Sequence, residues 1–124
     1  METLITFTTG AIEVPPLALP SREVGACLEF QGIVRETERD RKLAGLKYEA
    51  YEPMARRHLQ RIFEELWAVH PCTDVLFIHR LGWVPVGEAS LFVRVISAHR
   101  GEALQFVAEA IDRMKADVPI WKRT

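Results

Sequence analysis

Hydrophobic and polar residues follow patterns that divide the chain into seven segments of regular structure. In five of them, apolar residues alternate with polar ones or form β-branched runs, which predicts strands. In the other two, apolar residues recur every three or four positions, which predicts amphipathic helices. The predicted strands are 3–9, 25–34, 46–51, 74–82 and 89–98, and the predicted helices are 53–69 and about 101–115.

The order of these elements, β, β, β, α, β, β, α, indicates the fold class. Strands in runs, broken by two helices, are typical of α+β proteins in which helices pack on one side of a mainly antiparallel sheet. The length of 124 residues fits a single domain, 1–124, that is large enough to bury a hydrophobic core.

Two of the predicted strands and one connection have unusual features. In strand 25–34, Gly32 interrupts the alternation, which predicts a β-bulge or a close approach of another backbone. Strand 89–98 is apolar on both faces, which predicts either burial on both sides or an interface with another chain. Segment 35–45 consists mostly of charged residues and predicts a mobile, solvated hairpin loop.

Composition limits the classes of function. Hydrophobic residues make up 48% and charged residues 27%, as in soluble globular proteins. The net charge of −1 gives the whole molecule no attraction for nucleic acid or an acidic membrane, so an anion site must be a local cluster. No stretch resembles a signal peptide or a membrane span, which predicts a cytoplasmic protein. Cys27 and Cys72 are too few for a disulfide framework or a metal site, and Cys27, in an apolar run, is predicted to be a buried, inert thiol.

Sequence motifs for several kinds of catalytic site are missing. The chain has no phosphate-binding loop, no GxGxxG and no serine nucleophile elbow, and its histidines show no metal-ligand spacing. We therefore expect neither a metal nor a cofactor. What remains is a set of cations at the ends of predicted elements: Arg35, His99, Arg100, Lys115 and Lys122.

The last ten residues, KADVPIWKRT, place two of these cations on either side of an apolar segment. Lys115 lies at the margin of the last helix's apolar stripe, so its stem can pack on the core while its amine reaches a cleft. Trp121 is predicted to pack on the core and so return Lys122 towards the end of that helix. We therefore expect Lys115 and Lys122 to line one pocket. Taken singly, each of the five cations is more often a solvated charge or a partner of the helix dipole.

Four motifs together resemble the large, catalytic subunit of molybdopterin synthase, the MoaE family. They are GACLEFQGIVR (25–35), LKYEAYEPMA (46–55), IHRLGWVPVGEASLFVRVISAHRGEA (78–103) and IDRMKADVPIWKR (111–123). The segments YEAYEPMA, SAHR and K…VPIWK are specific in combination, whereas FxGxVR alone is weak. The motifs cover well over half of the chain, in the family's order and spacing.

This resemblance implies a sulfurtransferase of molybdenum cofactor biosynthesis, with an α/β hammerhead type of fold. In that family, a small ubiquitin-like subunit carries a C-terminal Gly-Gly thiocarboxylate, and its tail enters a pocket of the large subunit. Two sulfurs pass to cyclic pyranopterin monophosphate, which becomes molybdopterin. The resemblance also implies that the large subunit forms a homodimer, and that two small subunits complete a heterotetramer.

The resemblance also assigns roles to residues. It implies that Arg35, His99 and Arg100 bind the substrate, because a cyclic phosphate suits arginine and helix N–H groups. Phe30 corresponds to the pocket phenylalanine of the family. Lys115 and Lys122 correspond to its two functional lysines, which can stabilise or protonate the anionic charge that develops as thiocarboxylate displaces oxygen. Lys115 is in addition a candidate base or nucleophile.

Departures from the family keep two other functions open. Thr124 stands where the family usually has an acidic residue, which permits a degenerate subunit that dimerises and binds the small subunit without turnover. The segment after Arg35 lacks the family's glycine, so Asp40 is expected to take the left-handed turn position. An acylphosphatase-like enzyme is disfavoured because the chain contains no asparagine to position water. A nucleic-acid binder is disfavoured by the charge balance.

Overall fold

A computed structural model describes residues 1–123, which form nine strands and two helices. The strands are β1 (Glu2–Thr8), β2 (Ala26–Ile33), β3 (Thr37–Glu38), β4 (Arg41–Lys42), β5 (Gly45–Ala50), β6 (Asp74–Arg80), β7 (Gly82–Pro85), β8 (Ala89–Ser97) and β9 (Ile120–Arg123). The helices are α1 (Glu52–Val69) and α2 (Arg100–Asp117).

The largest sheet has four strands in the order β1-β6-β8-β2. The pairs β6–β8 and β2–β8 are antiparallel, whereas β1 runs parallel to β6, with Ile5 opposite Phe77. The register shifts between Gly32 and Ile33, which confirms the predicted bulge. The prediction of an α+β fold with a mainly antiparallel sheet is also confirmed.

Both helices pack their apolar stripes on one face of this sheet. Phe63 of α1 lies between Phe77 of β6 and Phe106 of α2, with ring centroids 6.0 and 5.8 Å away. All three rings are at most 2% exposed, and burial of each contributes on the order of 1.5–3 kcal/mol. The largest hydrophobic core is therefore the space between the four-stranded sheet and the helices.

Strand β8 is buried on both of its faces within a single chain. Val93 and Val95 face the helices, while Phe92 and Arg94 lie on the opposite face and are also buried. On that face, Arg94 donates hydrogen bonds to a carboxylate oxygen of Glu29 at 2.6 Å and to the carbonyl of Pro15 at 2.9 Å. The segment before β2 thus contacts this face, so the apolar pattern of β8 is satisfied without a second chain.

Strands β7, β5 and β9 form a second sheet that the sequence patterns did not predict as a unit. Residues 120–123, expected to form an anchored tail, pair antiparallel with β5, with Lys122 opposite Tyr48. The predicted burial of Trp121 is wrong, because its side chain is 49% exposed on this edge strand. Val118, which is buried, anchors the chain instead.

Residues 37–42 form a short hairpin, β3–β4, within the segment that the sequence predicted as a solvated hairpin loop. Its two turn residues, Arg39 and Asp40, have φ values of 52° and 63°, as a two-residue hairpin turn of the I′ type requires. The expectation that Asp40 adopts the left-handed conformation is confirmed.

The prediction for Cys27 is wrong, because its side chain is exposed. Strand β2 lies at the edge of the sheet, and Cys27 alternates with the half-buried Ala26 and Leu28. The buried thiol is Cys72, whose pKa burial raises to about 12. Within residues 1–123, neither helix is apolar enough over its length to cross a membrane.

Candidate functional site

A cavity of about 550 Å³ lies where the two sheets meet the carboxyl end of α2. Four of the residues that the sequence predicted for the site line it: Phe30, Arg35, Lys115 and Lys122. They come from separate parts of the chain, since β2 contributes the first, the residues just beyond β2 the second, the last turn of α2 the third and β9 the fourth. The tertiary fold therefore places both lysines and one arginine around a single space.

His99 and Arg100 lie at the other end of the molecule. They begin α2, whereas Lys115 lies 15 residues further along it, which corresponds to roughly 22 Å at 1.5 Å per residue. They also follow β8 at the end opposite Arg35, and a strand of that length spans roughly 26 Å. Within one chain, these two residues cannot contact the same small phosphate as Lys115. The sequence pattern shows that a residue lies at the end of a helix or strand, but it does not show which of these ends come together in the fold to form a site.

Glu38 is a cavity residue that the sequence analysis did not identify. Its carboxylate forms an ion pair with the ammonium of Lys122. The Glu38 side chain is only 19% exposed and that of Lys122 is 54% exposed, so the hairpin brings a largely covered acid against a lysine that remains accessible. In the sequence, Glu38 is only an acidic residue three positions after Arg35, and nothing distinguishes it from the other charged residues of segment 35–45.

His79 is a second residue of the cavity wall that the sequence analysis had set aside. Its side chain is 3% exposed, and desolvation lowers its pKa although the hydrogen bond to Arg80 acts in the opposite direction. Because a carbonyl oxygen only accepts, Nδ1–H donates to the Arg80 carbonyl at 2.8 Å, which leaves Nε2 unprotonated at neutral pH. The ring packs edge-on against Tyr48 with centroids 5.0 Å apart.

The cavity thus combines three cations, a carboxylate and a neutral imidazole. Lys115 and Arg35 supply positive charge, while Glu38 balances Lys122. Such a site can bind an anionic group and stabilise negative charge that develops during a reaction. Among the described residues, no three His, Cys, Asp or Glu side chains cluster in a way that could hold a metal ion.

Comparison with known proteins identifies the family. The model of the MoaE protein family matches residues 8–117. The human molybdopterin synthase catalytic subunit is 39% identical over 122 residues, which cover 97% of this chain. The chain spans 65% of that human protein's length and about half the length of the rice relatives that it matches.

Solved structures agree with this result. A crystal structure of molybdopterin synthase from Staphylococcus aureus has a TM-score of 0.82 at 31% identity, over 94% of this chain and 86% of that one. The fold also occurs in a complex of subunits 1 and 2 of molybdopterin-converting factor from Helicobacter pylori, with a TM-score of 0.73 at 24% identity over 95% and 82% of the two chains. From the matched residues and the identity to its relatives, the chain belongs to the MoaE protein family.

Proposed function

We propose that this chain is the catalytic subunit of a molybdopterin synthase. The observation that carries the proposal is the cavity in which Lys115 and Lys122, near the end of the chain, meet Arg35 from a distant segment. Its relatives are named molybdopterin synthase catalytic subunit. The resemblance to that family implies the reaction, which is sulfur transfer to cyclic pyranopterin monophosphate. No cofactor is required, because the donor is the C-terminal thiocarboxylate of a small ubiquitin-like partner.

The residues that line the cavity support this role for the partner's tail. A Gly-Gly terminus has no side chains, so its backbone can pass between lysine stems and the Phe30 ring. The negative thiocarboxylate then meets the ammonium groups that line the cavity.

The chemistry of each transfer follows from these positions. The thiocarboxylate sulfur attacks a carbon of the pterin side chain, a C–S bond forms, and the C–O bond breaks as oxygen leaves with the electron pair. Water then cleaves the resulting thioester, which returns the tail as a carboxylate and leaves sulfur on the product. Two partner molecules supply the two sulfurs.

Lys115 is our first choice for the group that stabilises or protonates the leaving oxygen. Lys122 supports the anionic tail or substrate electrostatically, and its pairing with Glu38 fixes its position. This pairing also supports a catalytic protein over the degenerate alternative, because a carboxylate reaches Lys122 from the hairpin. Thr124, the ground for that alternative, lies outside the described residues.

A homodimer, completed to a heterotetramer by two small subunits, is part of the proposal. The two-sided burial of β8 no longer argues for it, since one chain provides that burial. The stronger ground is the roughly 22 Å between Arg100 and Lys115. If His99 and Arg100 bind the substrate phosphate, they must reach the cavity from a second copy. A cytoplasmic location stays a prediction.

One experiment tests the activity directly. The chain is mixed with thiocarboxylated small subunit and cyclic pyranopterin monophosphate, and the pterin product is identified by mass spectrometry. We expect a product that has gained two sulfurs, and no such product when the partner ends in an ordinary carboxylate. Partner binding without any sulfur gain would instead identify a degenerate subunit.

Sedimentation tests the assembly. We expect a dimer of this chain at micromolar concentration and a heterotetramer after the small subunit is added. A monomer that forms no complex with the small subunit would contradict both the assembly and the placing of His99 and Arg100 at the substrate.

A further inference from the structure

A second concave site lies beside the cavity and is strongly basic. Its volume is about 500 Å³, and its walls are Glu38, Arg39, Arg41, Lys122 and Arg123, which we call the basic cleft. Glu38 and Lys122 also line the cavity, so their ion pair is a wall shared by the two spaces. The other three residues belong to the basic cleft and not to the lining of the cavity.

The charges of the basic cleft are not balanced within the described chain. Lys122 pairs with Glu38, and Arg123 donates to a carboxylate oxygen of Glu49 at 3.0 Å. Within residues 1–123, Arg39 and Arg41 form no ion pair, so the cleft has a surplus of two positive charges. Their hairpin neighbours, Asp40 and Lys42, cancel each other.

This surplus stands out because the whole chain has a net charge of −1. The rest of the molecule therefore carries three more negative charges than positive ones. A local concentration of arginine on an otherwise acidic protein attracts anionic groups to one place only. The same balance disfavours nucleic acid, because the rest of the molecule offers its long phosphate backbone no net positive charge.

The hairpin holds the arginines in a defined arrangement. Arg39 occupies the left-handed turn, and Arg41 pairs across the hairpin with Glu38, whose side chain is held by Lys122. Guanidinium groups bind carboxylates in a two-pronged geometry, which suits Asp and Glu side chains on a protein surface.

We propose that the basic cleft docks an acidic surface on the folded body of the partner subunit whose tail enters the cavity. The inference rests on the proposed function. It adds a docking surface outside the cavity, with Arg39 and Arg41 as the residues that recognise the partner. Because the cleft and the cavity share the Glu38–Lys122 wall, a body bound at the cleft brings its C-terminal tail to the cavity. Charge complementarity of this kind acts mainly on the rate of association.

The test compares two double variants that remove the same charge. Arg39→Gln/Arg41→Gln alters the basic cleft, whereas Arg57→Gln/Arg61→Gln alters two exposed arginines of α1 that make no ion pair among residues 1–123. Association of the full chain with the small subunit is measured by stopped flow at about 50 and 150 mM salt. We expect the cleft variant to associate about 10-fold more slowly at low salt and to lose most of its salt dependence, while the control stays within about twofold of the unaltered chain.

Four further measurements decide between explanations: sulfur transfer, thermal unfolding, and affinity for the pterin substrate and for a short RNA. Sulfur transfer at saturating partner should be unchanged in the cleft variant, and its thermal unfolding midpoint should match that of the control. An unchanged association rate, or an equal loss in the control, would overturn the proposal. So would a loss of affinity for the pterin substrate, or for a short RNA, with partner association intact. If the unaltered chain makes no sulfurated product but the association rates follow the expectation, the docking surface stands and the proposed reaction fails.

Discussion

The helix-covered sheet and the small sheet of β7, β5 and β9 differ in the size of the hydrophobic core that each one encloses. The first encloses the main hydrophobic core, in which Phe63, Phe77 and Phe106 are fully buried. Around the second, the described residues provide a minor core of Val34, Leu46 and Val84. The cavity lies at the border between them: two of the three minor-core residues, Val34 and Leu46, line it, and the main core reaches it at Leu91 and Met114.

Replacement of Lys115 should show the largest effect on function. Lys115→Ala removes the ammonium that we place at the leaving oxygen, and loss of such a proton-transfer group lowers rates by about 10²–10⁴-fold. Affinity for the small subunit and the free energy of unfolding should change little, because Lys115 is exposed at the last turn of α2. The measurement is single-turnover sulfur transfer at saturating partner and substrate.

Arg113→Ala is the matched control for this variant. Arg113 lies in the same turn of α2, but its guanidinium pairs with Glu65 of α1 at 2.7 Å, away from the cavity. It should retain nearly the full rate. Near-normal transfer by Lys115→Ala, or an equal loss in Arg113→Ala, would remove Lys115 from the chemistry.

Two leucines allow the cores to be compared by the same substitution. Leu59 belongs to the main core and is 0% exposed, and Leu46 belongs to the minor core and is 3% exposed. Leu→Ala costs about 2–5 kcal/mol, depending on how far the surroundings collapse. We expect Leu59→Ala near the upper end and Leu46→Ala near the lower end, since Leu46 borders a cavity whose walls can relax.

Their effects on activity should run the opposite way. At a temperature where both variants are folded, Leu46→Ala should lower sulfur transfer, because the cavity wall moves, and Leu59→Ala should not. Urea unfolding and single-turnover rates measure the two quantities. Equal unfolding free energies together with equal rates would show that the two cores do not divide stability and function in this way.

The same division explains how much could be predicted from the sequence. The helices and the strands of the large sheet follow local periodicity, so their predicted bounds lie close to those of the structure. Strands β7 and β9 are four residues long and depend on pairing with β5. This pairing joins distant parts of the chain, so local patterns in the sequence do not show it. Trp121 illustrates the limit, because an aromatic residue behind a proline suggested burial, whereas its place on an edge strand leaves it half exposed.

From the sequence, only those site residues could be predicted that residue type or the family resemblance pointed to. Phe30, Arg35, Lys115 and Lys122 line the cavity as a set, although their roles stay predictions. Glu38 could not be singled out, because its pairing with Lys122 joins residues 84 positions apart. His79 was missed because its significance depends on burial and on a backbone carbonyl, and no spacing in the sequence shows either.

Glu38→Gln tests whether the hairpin positions Lys122. The variant keeps the size of the side chain and removes its charge, so Lys122 loses the partner that fixes it. We expect sulfur transfer at saturating partner to fall by about 3–10-fold with stability nearly unchanged, since an ion pair with one exposed partner contributes on the order of 0.2–1 kcal/mol. Glu38→Asp should recover part of the rate.

Glu36→Gln is the control for loss of an acidic charge near the hairpin, because Glu36 is exposed and makes no ion pair within the described chain. A double-mutant cycle of Glu38→Gln with Lys122→Met supplies the decisive comparison. If the acid acts through the lysine, the two losses are not additive. Additive losses would assign Glu38 a role independent of Lys122.

His79 should produce the smallest effect, on the pH dependence of stability. Burial lowers its pKa in the folded chain below the unfolded value of about 6.5, so the unfolded chain binds the proton first as pH falls. The contribution of neutral His79 to the free energy of unfolding is therefore complete above about pH 6.5 and is lost as pH falls through the lower pKa of the folded chain. Between pH 7 and 5.5, the free energy of unfolding should decline by up to about 1 kcal/mol per pH unit.

His79→Gln should flatten this decline because it removes the titrating ring. The carboxyl of Asp74, whose pKa burial raises, contributes with the opposite sign, so it cannot produce a loss of stability as pH falls. His58→Gln, at a half-buried histidine of α1, is the control for the substitution of histidine by glutamine itself. Urea unfolding at each pH gives the free energies, and an equally steep decline in His79→Gln would show that another group carries the acid sensitivity. A flattened slope would instead assign the acid sensitivity to His79 in the cavity wall. There the neutral imidazole packs beside Tyr48 and keeps Nε2 free of a proton while the site binds anions.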